Sequence, residues 1–159
     1  GLEPRRRTII LVEPPAEVAF EDWPTVIDAE ERFYFKPESG RLLASPADET
    51  PSAPVDAVPE ELDIALCVDR LQAVADLPVR HIWRSWAGLR TFARDRTPVF
   101  GYDPVVPGFF WFAGQGGYGM QTAPAAARLG AALALERKIP PDLLDRGLLA
   151  EPYSPSRLR

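Results

Sequence analysis

Apolar residues along this chain fall into short β-branched or aromatic runs, interrupted twice by stretches with helical spacing. Thr8-Ile9-Ile10-Leu11-Val12 is a β-branched run closed by Pro14 and Pro15, and it predicts a buried strand. Thr25-Val26-Ile27-Asp28 and Arg32-Phe33-Tyr34-Phe35-Lys36 predict two more. Pro37-Glu38-Ser39-Gly40 supplies a turn and Arg41-Leu42-Leu43-Ala44-Ser45 the returning strand, so the pattern is an antiparallel meander. Residues 46–59 are rich in proline, with Asp, Ser and Thr. That composition cannot hold a helix or a central strand, and it predicts a surface loop.

Acids at Glu60 and Glu61 suit a first helical turn. Leu62, Ala65, Leu66, Val68, Leu71 and Val74 then give mainly one apolar face, predicting a helix from Glu60 to Ala75 that ends before Pro78. Val79 to Phe92 predicts a long strand, because Ile82, Trp83, Trp86 and Phe92 are good strand formers. Arg94 to Pro98 is a turn. Val99-Phe100-Gly101-Tyr102 and Phe109 to Ala113 are two further strands. Thr122 to Glu136, rich in Ala and Leu, predicts a helix with Pro124 near its first turn. From Pro140 the chain is a short helical piece and an irregular end. Strands, a helix, strands and a helix in that order argue α+β with an antiparallel, or mixed, sheet.

Composition narrows the chemistry. The 159 residues suffice for one ordinary domain, and 46% hydrophobic with 26% charged residues is a globular balance. The net charge of -5 leaves only Arg5-Arg6-Arg7 as a basic run, expected to be solvated, so nucleic acid is not an expected partner. One cysteine, Cys67, and one histidine, His81, cannot close a structural zinc site, so no metal is expected. Cys67 falls in a helical apolar pattern and is expected to pack, His81 to be structural, and Trp83, Trp86 and Trp111 to lie in the core. No apolar run approaches the ~20 residues needed to span a bilayer. Gly1-Leu2-Glu3-Pro4 leads straight into a strand without an initiator Met, as in a piece of a longer chain.

Gly114-Gln115-Gly116-Gly117-Tyr118-Gly119 breaks the pattern. Glycine recurs there because of backbone conformation or close approach. A strand, a glycine turn and a small-residue helix together make a place for an anionic or electron-rich ligand. The helix start leaves N–H groups unpaired and carries roughly half a positive charge. A tight strand-to-helix connection with no ligand would use the same residues. It is not the dinucleotide fingerprint, since no second strand with a ribose-binding acid follows about 20 residues later.

Trp86-Ala87-Gly88-Leu89-Arg90, Thr97-Pro98-Val99-Phe100-Gly101 and the run from Gly108 to Pro124 occur in this order. Together they resemble the C-terminal signature of the FAD-dependent D-amino-acid oxidase/dehydrogenase (glycine-oxidase-like) family. With Tyr34-Phe35-Lys36-Pro37 they most resemble its bacterial D-arginine dehydrogenase branch. The resemblance implies residues 1–107 as part of a substrate-binding domain, 108–137 as the C-terminal segment of the FAD-binding domain, and 138–159 as a tail. It implies that the segment carrying the glycine fingerprint for the FAD pyrophosphate lies elsewhere. This chain would then be a C-terminal fragment that neither binds FAD tightly nor turns over by itself.

The same resemblance assigns roles. Arg90 would hold a substrate carboxylate with a guanidinium fork. Tyr34 and Arg7 would stand on the carboxylate side, and the Gly117 carbonyl would receive the substrate amine. Gly88, Gly116, Gly117, Tyr118, Gly119, Met120, Gln121 and Thr122 would cradle the flavin. No side chain serves as a catalytic base. The implied reaction is hydride transfer from a D-amino acid to FAD, giving an imino acid that water hydrolyses to a 2-oxo acid. Electrons would pass on to a quinone or oxygen, and the protein would be cytoplasmic or membrane-associated. Two other readings stay open: a non-catalytic binding module, and a subunit of a multi-chain amine dehydrogenase.

Overall fold

The computed structural model of the chain describes residues 1–14 and 18–159; Pro15, half of the proline pair expected to close the first strand, lies outside them. The fold is α+β with antiparallel sheets and few helices, as expected. The chain forms two compact units, Arg5–Leu89 and Gly1–Pro4 with Arg90–Arg159.

The first unit holds β2 (Val26–Ile27), β3 (Tyr34–Glu38), β4 (Arg41–Ser45) and β5 (Thr50–Pro51) with the greater part of β1 (Leu2–Val12) and of β6 (Ile82–Ala93), whose Leu2–Pro4 and Arg90–Ala93 ends belong to the second. They run in the order β2-β3-β4-β1-β5, with β6 also pairing β1. The meander is antiparallel, with Phe35 opposite Ala44 in β3–β4 and Ile10 opposite Ala44 in β1–β4. Period-two alternation puts Ile10, Val12, Phe35, Leu42 and Ala44 on the buried face. Helix α1 (Glu61–Val74) adds Cys67 and Leu71 to that core.

Four expectations are corrected in this unit. The apolar face of α1 is displaced: Leu62 and Val74 are exposed, while Asp63, Cys67 and Leu71 are buried. An acid takes a core-facing position because a cation waits there. Arg6 is buried, not solvated; it bonds Glu60, and its Nη2 donates to Asp63 Oδ2 at 2.8 Å. The Glu60 hydrogen bond is the largest influence on Arg6 and raises its pKa; burial opposes it and Asp63 adds to it. The Pro-rich stretch begins with structure rather than loop. Thr50–Pro51 forms an edge strand, where a proline costs no ladder bond that matters. Asp48 accepts from the Thr8 N–H at 2.7 Å and the Thr8 hydroxyl at 3.1 Å.

Cys67 is buried as expected, and burial, reinforced by the negative charge of Asp48, pushes its thiol up to about 12. Trp83 is not core: it is half exposed, its indole donates to Glu13 Oε1 at 3.1 Å, and Arg41 stacks 3.7 Å from its ring centre. His81 is exposed and sits edge-on to the same ring.

The second unit holds β7 (Val99–Tyr102) and β8 (Phe110–Ala113), paired antiparallel with Phe100 opposite Phe112. Helix α2 (Gly119–Ala134) packs on this ribbon, and Phe100, Ala126 and Leu129 are its buried centre. Gly130 allows that approach, since a Cβ there would lie 2.7 Å from Phe112 Cδ2. The β7–β8 connection is built on Asp103, which accepts from Trp111 Nε1 at 2.8 Å and from the N–H groups of Val105 and Val106. These bonds, Trp111 foremost, hold its carboxyl below the usual range. Trp111 is thus half-buried at a polar anchor rather than in the core. A short helix α3 (Pro141–Leu144) and two 3-10 turns complete the tail. Arg157 clamps the tail, donating to Asp95 at 2.7 Å and to the Thr97 carbonyl at 2.6 Å.

Helix α2 starts three residues before the expected Thr122. The Thr122 N–H donates to the Tyr118 carbonyl at 2.9 Å, which makes Tyr118 the cap and Gly119 the first helical residue. Pro124 therefore lies inside the helix rather than in its first turn, and the Met120 carbonyl loses its helical donor.

Among the described residues no helix is long and apolar enough to cross a membrane.

Candidate substrate and cofactor site

The end of β6 and the turn before α2 run antiparallel. Phe92 bridges Gln115, the Gly116 N–H donates to the Thr91 carbonyl at 2.9 Å, and the count continues to bring Arg90 opposite Gly117. Arg90 and Phe92 are two residues apart on one strand and share a face. Each meets one glycine of the turn: Phe92 meets Gly116 and Arg90 meets Gly117.

Gly114 and Gly116 have φ of +74° and +55°, the left-handed region that glycine enters without penalty. Tyr118 closes the turn, its N–H donating to the Gln115 carbonyl at 3.1 Å. Helix α2 then begins with no side-chain cap. Its first N–H groups, those of Gly119, Met120 and Gln121, precede the first intrahelical bond and project from an end carrying roughly half a positive charge. Met120, the second residue of the helix, is 93% exposed. The Thr122 hydroxyl is occupied, donating to the Tyr118 carbonyl at 2.8 Å.

Arg90 is half-buried, and among the described residues no carboxylate or hydrogen-bond acceptor engages its guanidinium. A cation held on a strand without a counter-ion is a ready carboxylate receptor. Beside the turn is a cavity of about 240 Å³, mostly apolar, whose lining includes Gln115, Tyr118, Thr122, Phe100 and Leu129.

The structure thus brings together Arg90, Gly116, Gly117, Tyr118, Gly119, Met120, Gln121 and Thr122. Arg7, Tyr34 and Gly88 belong to the other unit. There Arg7 Nε donates to the Asp48 carbonyl at 2.7 Å and Nη2 to Glu49 at 3.2 Å. Tyr34 is half-buried opposite Ser45, and Gly88 is exposed with open space where a Cβ would lie. Sequence reasoning missed Thr91 and Phe92, which pin the turn. The signal was available in the alternation of Arg90 and Phe92, given that the glycine turn pairs with that strand.

The uncapped start of α2 suits an electron-rich carbonyl edge, such as the pyrimidine edge of a flavin. Its exposed N–H groups would face such an edge, and the residues present fit that part of the cofactor.

Residues 1–133 match the family described as FAD dependent oxidoreductase, and this chain belongs to it. In fold it is similar to glycine oxidase from Geobacillus kaustophilus, with a TM-score of 0.72 at 24% identity over 96% of this chain and 38% of that one. It is also similar to iminodiacetate oxidase from Chelativorans sp. BNC1, with a TM-score of 0.75 at 19% identity over 96% of this chain and 39% of that one. L-proline dehydrogenase from P. horikoshii gives a TM-score of 0.66 at 21% identity, covering 94% and 42%. The chain therefore spans about two fifths of the length of the solved structures it matches.

Proposed function

We propose that this chain is the C-terminal portion of an FAD-dependent enzyme that oxidises D-amino acids to imino acids, which hydrolyse to 2-oxo acids. The observation that carries the reading is the unengaged guanidinium of Arg90 against Gly117, in the turn that opens the uncapped helix α2. Residues 1–107 would belong to the substrate domain, 108–137 to the flavin domain and 138–159 to the tail.

When bound, the flavin supplies the two-electron acceptor for the hydride leaving the substrate α-carbon. The chain contributes positioning. Arg90 holds the α-carboxylate by two parallel charge-assisted hydrogen bonds, which fixes where the α-carbon lies. The resemblance also assigns Tyr34 and Arg7 to carboxylate binding; both belong to the other unit, where Arg7 is engaged by Glu49 and the Asp48 carbonyl. The Gly117 carbonyl would accept from the substrate amine. The N–H groups of Gly119, Met120 and Gln121 would stabilise negative charge on the flavin. Gly116 would line the same cradle; the resemblance assigns Gly88 to the flavin too, and it lies in the other unit. A D-arginine preference rests on the resemblance of the Tyr34-to-Pro37, Trp86-to-Arg90 and Gly117-to-Thr122 runs alone.

An absorbance spectrum of the full-length protein, titrated with a panel of D- and L-amino acids, tests the proposal. A yellow protein bleached by D-amino acids, most readily by basic ones, is expected. Bleaching by L-amino acids only, or a colourless full-length protein, overturns it. The 159-residue chain alone is expected to be colourless and inactive.

A further inference from the structure

Gly116 and Gly117 are adjacent in the turn and both lack a side chain, for different physical reasons. Gly116 has a left-handed φ of +55°, and a Cβ there would enter the ring of Phe92, 2.8 Å from Cδ1. That ring is only 4% exposed, so moving it would disturb the packing around it. Gly117 is exposed and its φ lies outside the left-handed region, so its backbone would accept any residue. What occupies the space of its Cβ is the far end of one side chain. The added atom would overlap Arg90 Nη1, with Cζ at 3.4 Å and Cδ at 3.8 Å.

We infer that Gly117 is a positioning residue: its bare Cα is the seat against which the Arg90 guanidinium rests, and this seat sets where a substrate carboxylate binds. The inference rests on the reading of Arg90 as the carboxylate holder. An arginine terminus swings about several single bonds, so a methyl at Gly117 displaces it with little effect on folding. Recognition is less forgiving. A bidentate fork works only when held within ~0.5 Å and 10–20° of its productive geometry, and displacing its end by a methyl's breadth exceeds that. The absent side chain therefore acts through Arg90.

The test uses the full-length flavoprotein and three variants: Gly117→Ala, Arg90→Ala and the double substitution. Four quantities are read: KM and kcat for a reacting D-amino acid, the Kd of propionate by calorimetry, the flavin content and the melting midpoint. Propionate offers a carboxylate without an amine and so isolates the Arg90 contact. Gly117→Ala is expected to raise KM and the propionate Kd by about tenfold or more, as loss of a charge-assisted contact requires. Flavin content and melting midpoint should stay at the wild-type level. The double variant should bind propionate no more weakly than Arg90→Ala, because the methyl then has nothing to displace. A wild-type propionate Kd in Gly117→Ala overturns the inference. So do losses that multiply in the double variant, a fall in flavin content, or a collapse of the midpoint. If Arg90→Ala itself binds propionate normally, the carboxylate reading fails first and takes this inference with it.

Discussion

Arg6 and Arg90 are both strand arginines, and they occupy opposite electrostatic situations. Arg6 is buried among Glu60, Asp63 and Asp48, with two hydrogen-bonded acids and a third carboxylate oxygen 4.0 Å from its Nε. Arg90 is half-buried beside a glycine and meets no acid among the described residues. A buried guanidinium whose charge is met by its own protein's carboxylates is closed to an anionic ligand. One left without them keeps its whole fork. An arginine's role is read from its neighbours, because the same residue type can close a core or open a site.

The largest effect should come from breaking the occupied pair. Arg6→Met leaves Asp63 and Asp48 without their cation and is expected to destabilise the fold by about 3–5 kcal/mol in denaturant titration. A loss below about 1 kcal/mol would mean that the acids find water and the cluster is not dry. Arg90→Ala should do the reverse. Its melting midpoint should hold, while KM for D-amino acids rises well over tenfold, roughly 2–5 kcal/mol of lost binding. A KM within twofold of wild type would erase the contrast.

A smaller effect is expected at the turn that seats Arg90. Gly116→Ala strains a left-handed residue and presses on Phe92, so about 1–3 kcal/mol of stability should go, seen as a lowered unfolding midpoint. An unchanged midpoint would show that the Phe92 ring can move aside. The smallest effect concerns Cys67, whose thiol is raised by burial and then by Asp48. An acid whose folded pKa lies above its unfolded value favours the folded state while it stays protonated. That contribution is fully present below the unfolded value near 9.0 and is lost as the pH rises towards about 12. Native protein should resist alkylation at pH 8, and its denaturation midpoint should decline above pH 9 more steeply than that of Cys67→Ala. Rapid labelling at pH 8 would place the thiol at the surface.

Much of the layout could be read from local pattern. The strands Arg41–Ser45 and Val99–Tyr102 fall where β-branched and aromatic runs between turn residues put them. Helix α1 lies within one residue of its expected ends, because acids and a proline mark both boundaries. What escaped depended on partners distant in sequence. The buried side of α1 follows Asp63 because Arg6 lies 57 residues away, and no helical periodicity expects an acid on a core face. The early start of α2 was hidden because glycine is a poor helix former, yet Gly119 needs only to follow the Tyr118 cap. Trp83 looked like core because aromatic strand residues usually are, and its Arg41 and Glu13 contacts are long-range. At the site, the glycine turn and Arg90 were legible as separate motifs. Their meeting was not, since it depends on the register of β6 against residues 115–117.

The Asp48 anchor has a consequence for how the chain can vary in length. Up to Pro51 the segment is tied to β1 through Asp48, Glu49 and the Thr50 pairing. From Ala53 to Asp56 it is exposed, and Val58 is 70% exposed. Because the tie isolates the sheet from the exposed stretch, residues added between Ser52 and Pro59 would lengthen only a surface excursion. Doubling a flexible loop costs about 0.6 kcal/mol. This is where an epitope, a fluorophore or a foreign domain can be inserted without disturbing register. The same insertion between Asp48 and Thr50 would separate the edge strand from its anchor.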